Sequence, residues 1–535
     1  MWACVLLAVR ARHWQHLWKK QKCRFSISAS AVSSAYNHPP WSQVSSDGRG
    51  ILSMSVLREG LAGQLADTAD SALRVLFDQQ QAAFRSAVPD HAKRLASLKS
   101  LEEAVLRGQL EIVRAVNEDF GGRARQETLA LELAPLVDSI RHAKRHLAQW
   151  MKPRKVRAGF NFFPAKAQII YQPLGVVGII GAWNYPVFLA LSPLVDAIAA
   201  GNHAMLKPSE LAPRTAEFLK GTISAVFPKE YITVVTGDAH LAAAFSALPF
   251  DHLLFTGSTR VGKLVMRAAS ENLTPVTLEL GGKSPAIIHP EFPLRTAVER
   301  ILTGKLYNAG QTCLAPDYVL VHESQRDAFV ELSRDVAQRL YRTWAENSDY
   351  TRIINRSNYD RLTGYVEDAV ARGARSVPLG NNTEACNSEN RVFPPVALLN
   401  VNDTMRVMQE EIFGPILPIV TYRNLDDAWR YINDHPRPLA SYYFDYDQDR
   451  AAWMLRSTIS GGVTVNDVIY HIAQNNLPFG GVGASGMGHY HGEAGFRTFS
   501  KQKGVLIQSK FSTLSFLRPP YGALADRVIR FLLRK

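Results

Sequence analysis

Cysteine is scarce in this chain: four residues in 535, namely Cys4, Cys23, Cys313 and Cys386. Two of them fall within the first 46 residues, so a disulfide framework is not expected and a reducing compartment is the simpler reading. No uninterrupted apolar run reaches the ~18 residues of a membrane-spanning helix. Internal repeats, low-complexity linkers and Cys/His finger spacings are all missing. That sets aside solenoids and zinc modules, and no metal site is expected.

Acidic residues are absent before Asp47, whereas residues 1–46 hold Arg10, Arg12, Lys19, Lys20, Lys22 and Arg24 among several serines. That composition reads as an amphipathic presequence over 1–46 and predicts mitochondrial import, the alternative being a disordered extension on a cytoplasmic protein. The formal net charge is +13, and the six basic residues of the leader leave +7 on the rest. An excess of that size suits anionic cofactors. Without finger spacings or an RNP-type aromatic strand, it does not call for nucleic acid.

What is present is an ordinary globular balance, 46% hydrophobic and 20% charged, on a chain longer than one core holds. Two large domains and a smaller element are expected. Apolar spacing predicts helices over 70–120, ending at Gly121-Gly122, and over 127–150. Residues 159–171, β-prone on both sides of Pro164-Ala165-Lys166, read as a hairpin. Short apolar strands at Val176–Ile180, Ala204–Lys207, Ile232–Val235, His252–Phe255 and Val276–Leu280 alternate with helices, the pattern of a doubly wound parallel sheet. A second alternating stretch covers about 285–460.

Two motifs carry the chemistry. Asn308-Ala309-Gly310-Gln311-Thr312-Cys313-Leu314-Ala315-Pro316 sets one thiol behind a tight turn, downstream of Leu278-Glu279-Leu280-Gly281-Gly282-Lys283. A thiolate can add to an aldehyde carbon and a carboxylate can activate the water that releases the acid. Alone, a cysteine is usually a small core residue, and a strand-end Glu279 would pair with Lys283. With these motifs and the Cys313-Leu314-Ala315-Pro316-Asp317-Tyr318 continuation, the chain from about 70 to about 522 resembles the NAD(P)-dependent aldehyde dehydrogenase superfamily. The likeness is strongest to its class 3 (fatty and aromatic) and coniferyl aldehyde branch.

The resemblance implies an aldehyde dehydrogenase-like α/β fold. Residues 47–158 and 176–279 would form a Rossmann-type cofactor domain and 280–470 an α/β catalytic domain. Residues 159–175 and 471–510 would form a β-hairpin oligomerisation and bridging element, and 511–535 a tail. It makes Cys313 the nucleophile and Glu279 the general base. Asn184, in Gly181-Ala182-Trp183-Asn184-Tyr185-Pro186, would act with the Cys313 backbone N–H on the developing alkoxide.

For the cofactor it implies Lys207, Ser209 and Glu210 at the adenosine ribose, Gly237 at the adenine, and Thr256, Gly257, Ser258 and Gly262 facing the pyrophosphate at a helix start. Trp183 and Leu280 join them, with Glu411 on the nicotinamide ribose and Phe413 beside the nicotinamide. A carboxylate at position 210 favours NAD by repelling a 2′-phosphate, while NADP stays possible and Arg260 leaves the choice open. Seen singly, Asn184 would be a turn residue, Ser209-Glu210 a helix start and Glu410-Glu411 a solvated pair. Gly481-Val482-Gly483-Ala484-Ser485-Gly486 satisfies G-x-G-x-x-G but follows no hydrophobic strand and is not read as the dinucleotide site; the resemblance implies a loop near the active-site mouth.

The expected activity is therefore oxidation of an aldehyde, medium to long aliphatic or aromatic, to the acid through a Cys313 thiohemiacetal and thioester. A CoA-acylating relative, or a non-catalytic binding or structural one, is the alternative. Cys386, in a polar loop, is given no role. A homodimer is expected. The C-terminal residues 523–535 are expected to form a short basic amphipathic helix, either packed on its own domain or resting weakly on a membrane surface.

Overall fold

Val176–Ile180 has no polar face and is buried at every position, which suits a strand at the centre of a sheet covered on both sides. In the computed structural model, which describes residues 70–381 and 383–533, it occupies that place. These residues belong to the compact unit Gly63–Lys535. The presequence expectation over 1–46 lies outside the described residues.

Six strands are ordered 486–487, 276–279, 252–256, 176–180, 203–207, 232–234, all parallel except the first. From the central strand the chain builds outward through His203–Lys207 and Ile232–Val234, then returns to the other side with His252–Thr256 and Val276–Glu279. The order reverses at Val176–Ile180, and such a reversal opens a crevice beyond the carboxyl ends of the strands. Helix Phe188–Ala200, buried along its whole length, covers the sheet.

A second sheet has seven strands in the order 375–378, 396–399, 416–422, 318–322, 285–288, 440–444, 462–465, with only the first antiparallel to its neighbour. Before either sheet comes a helical layer: 70–86, His91–Arg107, Gln109–Phe120 and a run over 125–150. Gly121 caps the third helix in the left-handed conformation, φ 66°. The 125–150 run is broken at Leu129–Leu133 by one π turn, which shifts the phase of the side chains that follow.

The hairpin is displaced from its expected place. Its first arm is Arg154–Val156, paired with Lys166–Pro173, whereas Phe160–Phe162 forms a 3₁₀ turn. The amides of Phe162, Phe163 and Ala165 are bonded to the carbonyls of Gly159, Phe160 and Phe162, so they are not free for a ladder. Phe160 is 85% exposed and has no facing strand to pack against. Ser500–Ile507 adds the third, outer strand along eight residues of Lys166–Pro173.

Helix Ala523–Leu533 forms as expected, but of its two expected resting places the fold supplies little of the first. Ala525 is its one buried residue, and Leu524, Phe531 and Leu533 face outward. Among the described residues no helix is long and apolar enough to cross a membrane, and no group of three or more His, Cys, Asp or Glu is placed to hold a metal ion.

Candidate active site

Each predicted cofactor residue of the first sheet lies at or just past a strand's carboxyl end. Lys207 ends its strand fully buried, and its Nζ donates to Glu210 Oε2 at 3.1 Å and to the Pro208 carbonyl at 3.2 Å. Ser209 sits between them, its Oγ accepting from the Leu211 amide. Gly237 follows Ile232–Val234, where a Cβ would press into Leu241. Thr256 closes the strand His252–Thr256, and Ser258 caps helix Thr259–Ser270 through the Val261 amide. The Gly257 amide is bonded to the Glu279 carbonyl at 3.0 Å. Gly262 lets that helix approach Leu280, since a Cβ would lie 2.7 Å from Leu280 Cδ2.

The second sheet supplies the opposite wall. Glu411 packs on Gly281, where a Cβ would collide with its carboxylate, and Glu411 Oε1 has no hydrogen-bond partner in the protein. Burial, helped by the charge of Asp317, pushes its pKa up to about 8. Phe413 crosses the ring of Trp183 edge-on at 5.4 Å. A cavity of about 430 Å³ opens here, lined by Thr259, Gly281, Lys283, Tyr318, Glu411 and Ala484. The G-x-G-x-x-G segment closes over it as a loop: Leu280 N donates to the Ser485 carbonyl, and Thr259 Oγ1 to that of Ala484.

Glu279 ends Val276–Glu279 paired with Gly486, is 3% exposed, and neither of its carboxyl oxygens has a hydrogen-bond partner. Desolvation raises its pKa well above the usual carboxylate range. Pairing with Lys283 is ruled out, because Lys283 is bonded to Asp317 and to the carbonyls of Val407 and Glu410. Likewise Glu410, not Glu411, is the solvated member of its pair, accepting from the Tyr365 hydroxyl.

Cys313 follows three consecutive left-handed residues, Asn308, Ala309 and Gly310, with φ of 53°, 51° and 74°. For the two that are not glycine this costs on the order of 1–3 kcal/mol each. The turn is held from several sides. Asn308 Nδ2 donates to the carbonyls of Asn184 and Gln311, both at 3.0 Å. Gln311 Nε2 reaches the carbonyls of Asn308 and Arg352, and its Oε1 accepts from Ile354 N. Asn184, 3% exposed, aims its amide at this turn, with Nδ2 3.2 Å from the Gln311 carbonyl.

Burial pushes the Cys313 thiol up, and the charges of Glu411 and then Glu279 add to it. Both carboxyls thus act on the sulfur through their charge, and Cys313 itself is half-buried. Tyr490, also buried with an unpaired hydroxyl, feels Glu279 and Cys313. A narrow pocket of about 160 Å³ on another side is lined by Thr303, Tyr307, Val468, Ile469 and Tyr470. A larger cavity, about 640 Å³, is elsewhere, between Gln109–Phe120 and the 346–352 loop, and holds none of the predicted residues. Cys386 is not part of the site.

Sequence reasoning missed the buried charges behind the turn that leads to Cys313: Arg123, Glu127, Glu132 and Lys305. Glu127 and Glu132 lie in the otherwise apolar run Thr128-Leu129-Ala130-Leu131-Glu132-Leu133 or at its edge. A charge within an apolar helical stretch was the available signal. Lys305, 1% exposed with an unpartnered Nζ, has its pKa lowered to about 8 by burial.

The aldehyde dehydrogenase family model matches residues 58–505. A probable coniferyl aldehyde dehydrogenase of Pseudomonas aeruginosa is 49% identical over 458 residues, 85% of this chain and 95% of that protein. Aldehyde dehydrogenase family 3 member A2 of Rattus norvegicus is 40% identical over 429 residues, 80% of this chain and 87% of its own length. Among solved structures, the substrate-bound AldH of Staphylococcus aureus superposes with a TM-score of 0.79 at 39% identity, covering 85% of this chain and 98% of that one. With both motifs and both sheets inside the matched span, this chain belongs to the aldehyde dehydrogenase family, on its coniferyl aldehyde and class 3 side, and its chemistry is the oxidation of an aldehyde.

Proposed function

We propose that the chain converts a medium to long aliphatic or an aromatic aldehyde to its carboxylic acid with NAD, NADP being the weaker cofactor. The observation that carries this is the Asn184 amide held against the turn that leads to Cys313, together with the buried carboxyl of Glu279, neither oxygen of which has a hydrogen-bond partner. The residues present fit a dinucleotide. Lys207 and Glu210 would hold the adenosine ribose, the start of helix Thr259–Ser270 the pyrophosphate, and Glu411, with an unpaired oxygen, the nicotinamide ribose. When bound, that cofactor supplies the two-electron oxidant.

The chain's own residues do the rest. Cys313 reacts as the thiolate, its proton passing to solvent; Sγ bonds to the aldehyde carbon as the C=O π pair moves onto the oxygen, which becomes an alkoxide. Asn184 Nδ2 and the Cys313 amide donate to that oxygen, and one such donor contributes roughly 3–4 kcal/mol. After oxidation the acyl group is held as a thioester on Cys313. Glu279 then takes a proton from water, whose oxygen attacks the acyl carbon and releases the acid and the thiol. The carboxyl at 279 favours water over coenzyme A as acceptor, and the intact set of thiol, carboxyl and amide favours an enzyme over a binding or structural relative.

The aldehyde would enter by the pocket at Tyr307 and Ile469, where Val468 and Tyr470 add apolar and aromatic surface and Glu299, Arg300 and Asp467 supply charge. The relatives' names fit the same range. A homodimer formed through the outer strand Ser500–Ile507, import directed by residues 1–46 and, at most, peripheral membrane contact complete the reading. The deciding experiment is a turnover screen of hexanal, a long-chain aldehyde, benzaldehyde and a cinnamaldehyde, each with NAD and with NADP. Acid and NADH should appear together with at least one substrate, and NADP should be the poorer partner. Acyl-CoA as product, or no turnover with any pair, would overturn the proposal.

A further inference from the structure

Arg123 belongs to the N-terminal helical layer, yet its fully buried side chain ends at the backbone of Asn184. Nη1 donates to the Asn184 carbonyl at 3.1 Å and lies 3.1 Å from Glu132 Oε1. The other oxygen of Glu132 accepts from the Val187 amide at 2.8 Å and the Phe188 amide at 3.2 Å. A single buried ion pair thus grips both ends of Asn184-Tyr185-Pro186-Val187, the carbonyl by the cation and the amide by the anion. That loop has no sheet ladder of its own, and Pro186 removes a donor that might have anchored it.

The grip is aimed as well as tight. The Arg123 amide donates to Asn117 Oδ1 at 2.8 Å, which fixes its own start. Its guanidinium lies 5.0 Å from the Phe120 ring centre and 4.9 Å from that of Tyr185. The Tyr185 hydroxyl reaches Thr312 Oγ1 at 2.7 Å, one residue from Cys313. Glu132 can reach the loop because it lies in the π turn Leu129–Leu133, which turns a charge out of helical phase toward Val187.

We propose that Arg123, paired with Glu132, is the positioning residue for the Asn184 amide, setting where that donor stands relative to the alkoxide formed on Cys313. The inference rests on the proposed role of Asn184. A hydrogen bond to its carbonyl fixes the peptide plane that follows Asn184, and with it the direction in which the Cα–Cβ bond leaves the backbone. Without Arg123 the Asn184 carbonyl keeps only the Asn308 amide group, and the loop regains a rotation that swings Nδ2 off target. Donors act on a developing charge only when already in place.

The test compares Arg123→Met, Arg123→Lys, Asn184→Ala, the pair Arg123→Met/Glu132→Leu, and Asn184→Ala combined with that pair. Replacing both members of a buried ion pair by apolar residues usually preserves a fold, so the pair keeps the question open if Arg123→Met alone does not fold. Removal of one oxyanion donor typically lowers kcat about 10²–10³-fold, and a displaced donor should lose about 10–100-fold. The paired variant should show that loss with NAD affinity within about twofold of the parent, and Arg123→Lys should recover part of it. In the Asn184→Ala background the same pair should cost no more than about a further twofold, because its effect runs through the missing amide. Losses that multiply in the combined variant, or an unchanged kcat in the paired one, overturn the proposal. An unchanged kcat for Asn184→Ala alone would fall instead on the role of Asn184, and would remove the basis of the inference with it.

Discussion

Glu127 receives the backbone amide of Asn308 on both carboxylate oxygens, at 3.1 and 3.2 Å, and the Thr351 hydroxyl at 2.6 Å. The amide it captures opens the left-handed turn that carries Cys313. A helix of the N-terminal layer and the turn before the thiol are thereby joined through one buried acid.

Glu127→Gln turns an acceptor into a donor facing other donors. A buried donor left without a partner costs about 1–3 kcal/mol. We expect a lower Tm, and slower carbamidomethylation of Cys313 as the turn relaxes from its aligned form. Mass spectrometry of the labelled peptide against time checks it, and an unchanged rate would mean that the turn holds its shape without Glu127.

Cys313→Ser should reduce aldehyde oxidation to a small percentage or less while NAD binding and Tm stay near those of the parent, since the sulfur forms the covalent bond but contributes little to cofactor contacts. Cys386→Ser should be near neutral, because Cys386 lies in a partly exposed loop away from the site. Steady-state turnover and isothermal titration with NAD test both, and substantial turnover by the serine variant would sink the nucleophile assignment.

Much of this was legible in the sequence for a physical reason. Val176–Ile180 could hardly be anything but a central strand, because two valines and two isoleucines flank Gly178 with no polar residue among them and the stretch is bounded by Gly175 and Gly181. Gly121 marked a helix end because only a left-handed residue satisfies that cap. By contrast, Phe160, Phe162 and Phe163 carry β propensity that the chain does not use, and the strand falls on Arg154–Val156, which has little. Edge pairing is decided by which amides are free, not by side-chain type. Arg123, Glu127 and Glu132 were passed over because a charged residue on a helix, or in the link before one, ordinarily faces water. Their burial depends on contacts with residues 184–188 and 308, far along the chain.

The pKa of Glu411, pushed up to about 8, gives a pH dependence with a definite sign. If the ionised carboxyl accepts from the ribose hydroxyls, cofactor binding below that value must first remove a proton. That costs about 1.36 kcal/mol, or a factor of ten, for each unit below the pKa. NAD affinity should therefore weaken as pH falls from about 8 and level off above it. Glu411→Gln should bind weakly with the slope removed. Fluorescence titration of NAD between about pH 6 and pH 9.5 decides it. The same slope in the variant would assign the titration to another group, with Lys305, lowered to about 8, the first to examine.

Glu279→Gln separates the two halves of the proposed reaction. The parent carboxyl is buried, has no partner for either oxygen and has its pKa raised by desolvation, so an amide of the same shape should leave the surroundings in place. Addition by Cys313 and the oxidation step do not need that carboxyl, whereas attack by water on the thioester does. General-base assistance typically contributes about 10²–10⁴-fold, and the loss should fall on hydrolysis alone. Under excess aldehyde and NAD, a stopped-flow trace at the NADH absorbance should rise by one equivalent per active site and then continue slowly. Hydroxylamine or a small thiol should quicken the slow phase, because a stronger nucleophile needs less help in losing its proton. Loss of the burst together with the steady rate would place Glu279 in Cys313 activation instead, and the division of labour between the two carboxyls would then have to be reversed, with Glu411 the next candidate for the hydrolytic base.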